Sequence, residues 1–391
     1  MINTARGRLH ALAFTLLSCD FLNGSAQITR ADTTATPAPD YKIQHTGLID
    51  IYYLLQSNNP HGNTTLTGRV YDVRHNAPTL AMAELNVFQI PRPHGLGFKT
   101  TLSAGDDTDI NHYDFQNPNG GAGEARFKAI QQAYISYALD QQGDGLDFGK
   151  MTTPFGYEAI EASGNFNYSH SIPFGDEPTY HFGARAYTGG NALGVSGLTL
   201  TGYLVKAIFN SPTAGVQDDN KQPAFLGQVV YASPNGKLSL TSTVGGGTDK
   251  FDLSTFNRSD VNASVFLTDN DITYNINPSE GVGLNYMYAQ LKPNTGGTQE
   301  LNGYGVYFHR AVATNRNVGL RFSTVGLNAG GPVQRPYEFT ATYSIKSASN
   351  VLTFLELRHD GTNISNSFLG STGLPTQKAQ DTVTLASVYQ F

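Results

Sequence analysis

The chain has one cysteine and no tryptophan in 391 residues, and only 14% of it is charged. A lone cysteine makes no intramolecular disulfide, so the fold stands without covalent staples. An average soluble domain is about 25% charged, so a charge-stabilised cytosolic surface is a poor match. No run of about 18 apolar residues occurs, which excludes a bundle of membrane-spanning helices. Disorder fits no better: 39% of residues are hydrophobic, and 21 Tyr and 22 Phe need surface to bury against. The chain has 42 Gly, and the enrichment in Gly, Tyr, Phe and Asn persists from about residue 47 to the end without a linker-like break. That uniformity points to one large all-β unit.

The first residues have the layout of an export signal. Arg6 and Arg8 precede an apolar stretch from Leu9 to Leu17, and Gly24, Ser25 and Ala26 supply the small residues of a cleavage site. Leu16-Leu17-Ser18-Cys19 is a competing lipobox-like site, in which Cys19 would become a lipidated N-terminus. Removal of residues 1–26 leaves 23 Lys and Arg against 30 Asp and Glu, a net charge of −7 that argues against a nucleic-acid partner. Residues 27–46, rich in Thr, Ala and Pro, read as a periplasmic lead-in, and 47–391 as the folded unit.

From Thr46 onward, segments alternate apolar and polar side chains with the period of two that marks a strand between unlike surroundings. In Thr382 to Phe391, Val383, Leu385, Tyr389 and Phe391 share one face while Thr382, Thr384 and Gln390 share the other. Sixteen such segments begin near residues 47, 80, 96, 127, 145, 181, 197, 223, 236, 263, 280, 300, 316, 335, 350 and 380, within a range of 14 to 18 strands. Connections after even-numbered strands are short. Those after odd-numbered strands are mostly long: 58–79, 108–126, 159–180, 210–222, 247–262 and 361–379, with short exceptions near 295 and 331. A closed antiparallel transmembrane β-barrel segregates loop length in this way, with tight periplasmic turns and long extracellular loops, whereas a soluble sandwich has no reason to. Closure also leaves no unpaired edge in lipid.

Aromatic residues at Tyr52 and Tyr53, Tyr134 and Tyr137, Tyr286 and Tyr288, Tyr304, Tyr307 and Phe308, and Tyr389 with Phe391 are expected to form interfacial girdles. Two lysines break the pattern. A bulge at Gly149 would rotate Lys150, and Lys206 would snorkel at the outer rim.

Three stretches resemble a bacterial outer-membrane porin, and within that class the beta-barrel porin-2 family, described as OmpL-like. They are Gly47-Leu48-Ile49-Asp50-Ile51-Tyr52-Tyr53 with Arg69, Tyr71 and Asp72 after it; Phe148 to Glu158 with Asn165 to Ser169 and His181 to Arg185; and the terminal phenylalanine. The resemblance implies a passive outer-membrane channel, set among outer-membrane lipids, with Tyr389 and Phe391 as the signal for the barrel insertion machinery. Trimerisation is common among general porins, so a homotrimer is implied, although no interface is legible in the sequence.

On the polar face, Asp50, Glu84, Lys99, Arg185, Arg321, Glu338, Lys346, Glu356, Arg358 and Asp360 are expected to line the channel, five acids against five bases. Opposed charges of this kind set a field across a pore, or simply hydrate its wall. The connection after the fifth strand is where general porins fold a loop inward. By that analogy Glu158, Glu161, Asn165 and Asn167 are constriction candidates, with an ordinary surface loop as the alternative. Gly303 and Gly305 share a face with Tyr307 and leave room for close approach.

Catalytic, metal and cofactor signals are weak. Gly120 to Gly123 lacks the Lys and Ser or Thr of a phosphate-binding loop, and the ten histidines are scattered. Asp106, Asp107 and Asp109, or Asp218 and Asp219, lack the spacing of a calcium loop. The expected function is diffusion of small hydrophilic solutes, with no catalytic residue, metal or cofactor. Two rivals remain: a barrel hydrolase using His309 or His359, and an adhesive barrel whose long loops bind a partner.

Overall fold

The computed structural model describes residues 41–61, 66, 68–111, 129–209, 221–251 and 261–391. The expected signal peptide, Cys19, most of the lead-in, Gly120 to Gly123, Asp218 and Asp219 lie outside the described residues.

Sixteen antiparallel strands close into one barrel. In chain order they are β1 (Gln44–Gln56), β2 (Pro78–Gln89), β3 (Leu96–Ala104), β4 (Ile130–Ala138), β5 (Gly145–Thr152), β6 (Tyr180–Tyr187), β7 (Leu198–Val205), β8 (Ala224–Ala232), β9 (Leu238–Phe251), β10 (Val261–Asn277), β11 (Glu280–Pro293), β12 (Gln299–Ala313), β13 (Arg316–Asn328), β14 (Tyr337–Ala348), β15 (Val351–Gly361) and β18 (Ala379–Gln390). A small hairpin, β16 (Phe368–Leu369) and β17 (Pro375–Gln377), stands in the last long connection, and a short helix, α1 (Asp106–Asn111), follows β3. Each barrel strand begins within three residues of the position its alternation indicates. The barrel itself opens at Gln44, slightly inside the expected lead-in.

The seam joins β18 to β1, from Leu48 opposite Gln390 to Gln56 opposite Thr382. At its end Gly47 and Phe391 exchange backbone hydrogen bonds of 2.9 and 3.0 Å. Closure gives every strand two neighbours, which lipid requires. Outward positions carry the apolar residues: Ile49, Ile51, Tyr53 and Leu55 of β1 are exposed, while Leu48, Asp50, Tyr52 and Leu54 are buried inside.

The same alternation corrects the girdle. Tyr53, Tyr137, Tyr304 and Phe308 face outward, as do Tyr286 and Tyr288, but Tyr52, Tyr134 and Tyr307 point into the barrel. Neighbours in a strand cannot share a face, so each adjacent pair splits. The expected loop 247–262 is also shorter, because β9 runs on to Phe251. At Gly149 the ladders to β4 and β6 keep their register. There is no bulge; Gly149 has φ +141°, and the Lys150 ammonium bonds the Ile130 carbonyl and lies over the Tyr180 ring at 4.9 Å.

Two apolar clusters fill parts of the interior. Tyr52, Leu54, Met82 and Phe354 of the wall meet Tyr71, Tyr168 and Phe174 of the connections, and Met151, Leu226, Leu267 and Met287 meet Phe155 and Ile208. An inward residue is apolar where it faces an inserted loop rather than water.

Candidate functional site

The connection 153–179, between β5 and β6, runs into the barrel and crosses it. Its path is marked strand by strand. Near its root, the Pro154 carbonyl accepts hydrogen bonds from Gln228 of β8 (2.9 Å) and Thr243 of β9 (3.0 Å). The Gly156 N–H then reaches Asp269 of β10 at 3.2 Å, and the Tyr157 ring stacks on Tyr307 of β12 at 4.2 Å. Glu158 meets Arg321 of β13 at 2.7 Å. Farther on, Asn167 donates to Thr342 of β14 (2.7 Å), and the N–H groups of Tyr168 and Ser169 donate to Glu356 of β15 (2.7 and 3.1 Å). The Tyr168 hydroxyl ends the crossing by donating to Asp50 of β1 at 3.1 Å. Since β13 stands eight places from β5 in the ring of sixteen, this connection spans the full width of the lumen.

The wall is shaped to receive it. A Cβ at Gly283 would strike the Tyr157 ring; at Gly303 it would lie 3.1 Å from Pro173 Cβ, and at Gly319 2.7 Å from the Phe166 carbonyl oxygen. Three neighbouring strands are therefore bare where the loop rests. Close approach expected at Gly303 is approach of this loop, whereas Gly305 is covered by Tyr307.

Arginines fasten the crossing. Arg321 bonds Glu338 through Nε (2.8 Å) and Glu158 through Nη1 (2.7 Å), and also bonds the Ser169 carbonyl. Arg358 bonds Asp360 at 2.7 Å and the His170 carbonyl at 2.6 Å. Arg69, from the connection after β1, bonds Asp72 and reaches Asp360 at 2.9 Å. That connection packs against the crossing loop, with Tyr71 edge-on to His170 at 4.7 Å. Burial alone would raise the Glu158 carboxyl, but Arg321, His170 and the hydrogen bonds from Ser171 together outweigh it and hold the group below its ordinary range. Burial pushes the His170 imidazole down, and its Nε2–H donates to the Ala159 carbonyl at 2.6 Å as in a neutral ring.

Eight of the ten residues expected in the channel, Asp50, Glu84, Arg185, Arg321, Glu338, Glu356, Arg358 and Asp360, are buried inside the barrel. Lys99 faces inward and is partly exposed, and Lys346 is exposed at the far end of β14. Of the loop residues, Glu158 and Asn167 tie to the wall. Asn165 instead braces the loop internally, bonding both the N–H and the carbonyl of Ala159. Glu161 lies beside Glu84 of β2. Sequence reasoning missed Arg69, Asp72 and Tyr71 as interior residues, because nothing in a polar loop's composition tells inside from outside. The hydrolase reading gains no geometry: His309 stacks on Phe166 at 3.8 Å, and His359 faces outward, paired with Asp381 at 2.7 Å. Among the described residues, no serine hydroxyl bonds either imidazole. Asp106 is paired with Arg74 at 2.8 Å.

Several solved structures are similar in fold. OmpT of Vibrio cholerae, folded in vitro in a trimer form, is 12% identical, covering 90% of this chain and 99% of its own, with a TM-score of 0.54. An anion-selective porin from Comamonas acidovorans is 11% identical over 90% of this chain and 99% of its own, with a TM-score of 0.56. The outer membrane channel DcaP of Acinetobacter baumannii is 11% identical over 90% and 97%, with a TM-score of 0.56. No curated protein matches the chain in sequence. Residues 42–391 match the family Putative beta-barrel porin-2, OmpL-like. The chain therefore belongs to that family, and it is an outer-membrane porin.

Proposed function

We propose that the barrel passes small hydrophilic solutes by diffusion, without covalent chemistry or a cofactor, through a lumen narrowed by the loop 153–179. One observation carries this reading: the dry contact of Arg321 with Glu158, whose side chains are 0% and 4% exposed, holds the loop against the wall opposite its root. The constriction is then built by Glu158 and Asn167 on the loop and by Arg321, Glu338, Glu356, Arg358 and Asp360 on the wall. Asp50, Glu84, Lys99 and Arg185 line the space beside it, and Lys346 stands at the periplasmic mouth.

Residues 1–26 act as the export signal, and Tyr389 with Phe391 as the contact for the insertion machinery. A homotrimer is the proposed assembly, supported by the trimer form of the similar Vibrio structure. Liposome swelling with sugars of graded size tests the function. Uptake should fall steeply with solute size, and folded protein that admits no solute in swelling and gives no current in planar bilayers overturns the reading.

A further inference from the structure

We propose that the crossing loop is fastened to two opposite walls by carboxyl pairs that share a proton, so that the constriction is firm in acid and loosens as those protons leave. Its effect on conductance rests on the channel function proposed above, whereas the fastening itself does not.

The loop carries one such joint on each side of the lumen. Glu161 is hydrogen-bonded to the carboxyl of Glu84 on β2. Glu177 is hydrogen-bonded to the carboxyl of Asp269 on β10, which is bonded in turn to that of Asp271. Strands β2 and β10 stand eight places apart in the ring of sixteen, so the two joints hold opposite sides of the barrel. An ionised carboxylate only accepts hydrogen bonds, so a bond between two carboxyls needs a proton on one of them. Two carboxyls in such contact do not both ionise while they stay together, which is why acid dyads hold one proton between them.

The surroundings hold the carboxyls in contact. At the first joint Asn86 donates to Glu84 at 2.6 Å, Lys99 of β3 stands near Glu84, and Tyr180 of β6 faces both glutamates. Lys99 balances one carboxylate, and the shared proton neutralises the other. At the second joint a single nitrogen, Asn285 Nδ2, donates to Asp269 at 2.8 Å and to Asp271 at 2.9 Å, which clamps the two carboxyls together. The Gly156 N–H donates to Asp269 at 3.2 Å, and a Cβ at Gly156 would strike Glu177 Oε2. Glu158 and Asp176 of the loop also face Glu177, and Tyr157 lies beside Asp271. Loss of the proton therefore leaves like charges facing one another across the joint, and they repel. The ion pair of Glu158 with Arg321 and the bonds from the Tyr168 and Ser169 N–H groups to Glu356 need no shared proton. They hold the middle of the crossing in both states, so the loop loosens at its joints without leaving the lumen.

The test is amide exchange of the mature chain in detergent, wild type against Glu161→Gln combined with Glu177→Gln, at about pH 5 and about pH 8.5. Both substitutions lie in the loop and keep an N–H donor for the wall carboxyl with no proton to lose. Comparison at one pH cancels the intrinsic pH dependence of exchange. At the alkaline pH the N–H groups of Gly164, Asn165 and Gly175, which close short turns beside the joints, should exchange about tenfold faster in the wild type than in the variant. At about pH 5 the two proteins should agree, and Tyr168 and Ser169 should agree at both. In planar bilayers the wild-type current step should grow by about half from the acid to the alkaline pH, and the variant's should not. If the double variant fails to fold, either single substitution gives the same contrast at its own joint. Equal exchange in wild type and folded variant at both pH values overturns the proposal, as does a difference of the same size at both. Faster wild-type exchange on adding EDTA at about pH 5 would assign the joints to a divalent cation and overturn the shared proton. Folded protein without any current overturns the channel function alone, because the exchange pattern still decides the fastening.

Discussion

Glu158 and Arg321 meet at 2.7 Å although their elements stand on opposite sides of the barrel. The guanidinium holds a loop carboxylate on one side and the wall carboxylate of Glu338 on the other, so the loop is fastened by charge as well as by packing. Breaking a buried pair from one side leaves an uncompensated charge, which costs about 3–5 kcal/mol.

Arg321→Ala is therefore expected to free the loop more than it harms the wall, since the ladders to β12 and β14 do not use the side chain. Current steps should become larger and noisier, while the folded barrel still resists heating in detergent on a gel. Steps of unchanged size with a quiet baseline would show that the ion pair is not what holds the loop.

Gly319→Val tests the bare track instead of the charge. Its Cβ would lie 2.7 Å from the Phe166 carbonyl oxygen, and a backbone atom cannot swing aside as a side chain does. The loop should shift away from β13, with enlarged conductance and faster proteolysis within residues 157–172. Protection equal to the wild type would contradict the packing.

At the seam, Gly47→Val would collide with both the Phe391 ring and the Glu84 carbonyl oxygen. Extra bulk in a packed site costs about 1–3 kcal/mol. The heat-resistant folded fraction should fall, and a wild-type fraction would mean that the end of β18 does not need the bare wall at Gly47.

Glu177 gives a pH dependence. Burial pushes its carboxyl well up, with Asp269 and Asp271 of β10 and Glu158 and Asp176 of its own loop adding in the same direction. The folded protein then binds this proton more tightly than the unfolded chain, so stability is full below the ordinary glutamate range near about 4.3 and falls as pH rises toward the raised value. With no tryptophan, thermal unfolding is followed by tyrosine emission. Glu177→Gln should raise the Tm at pH 8 and leave it nearly unchanged at pH 4; an equal gain at both would point to packing rather than ionisation.

Much of the barrel was legible because period-two alternation is a local signal. Val383, Leu385 and Tyr389 lie outward on β18, while Thr382 and Thr384 lie inward, as their order indicates. What lies inside the barrel was less legible. Tyr52 reads as a girdle residue beside Tyr53, yet it faces the inserted loop and is 2% exposed. Glu158 was identified from its place after the fifth strand, but Arg69 and Tyr71 were not separated from an ordinary surface loop. Their partners, Asp360 and His170, lie far along the chain, and contacts at that separation leave no local period to detect.

The central claim is that the loop 153–179 narrows the lumen. Its most direct test is single-channel conductance of the wild type against a variant in which residues 158–172 are replaced by a short Gly-Ser linker. The account predicts a folded barrel with steps larger by about twofold or more, as the freed cross-section admits more ions. Steps of equal or smaller size from a folded variant would contradict it.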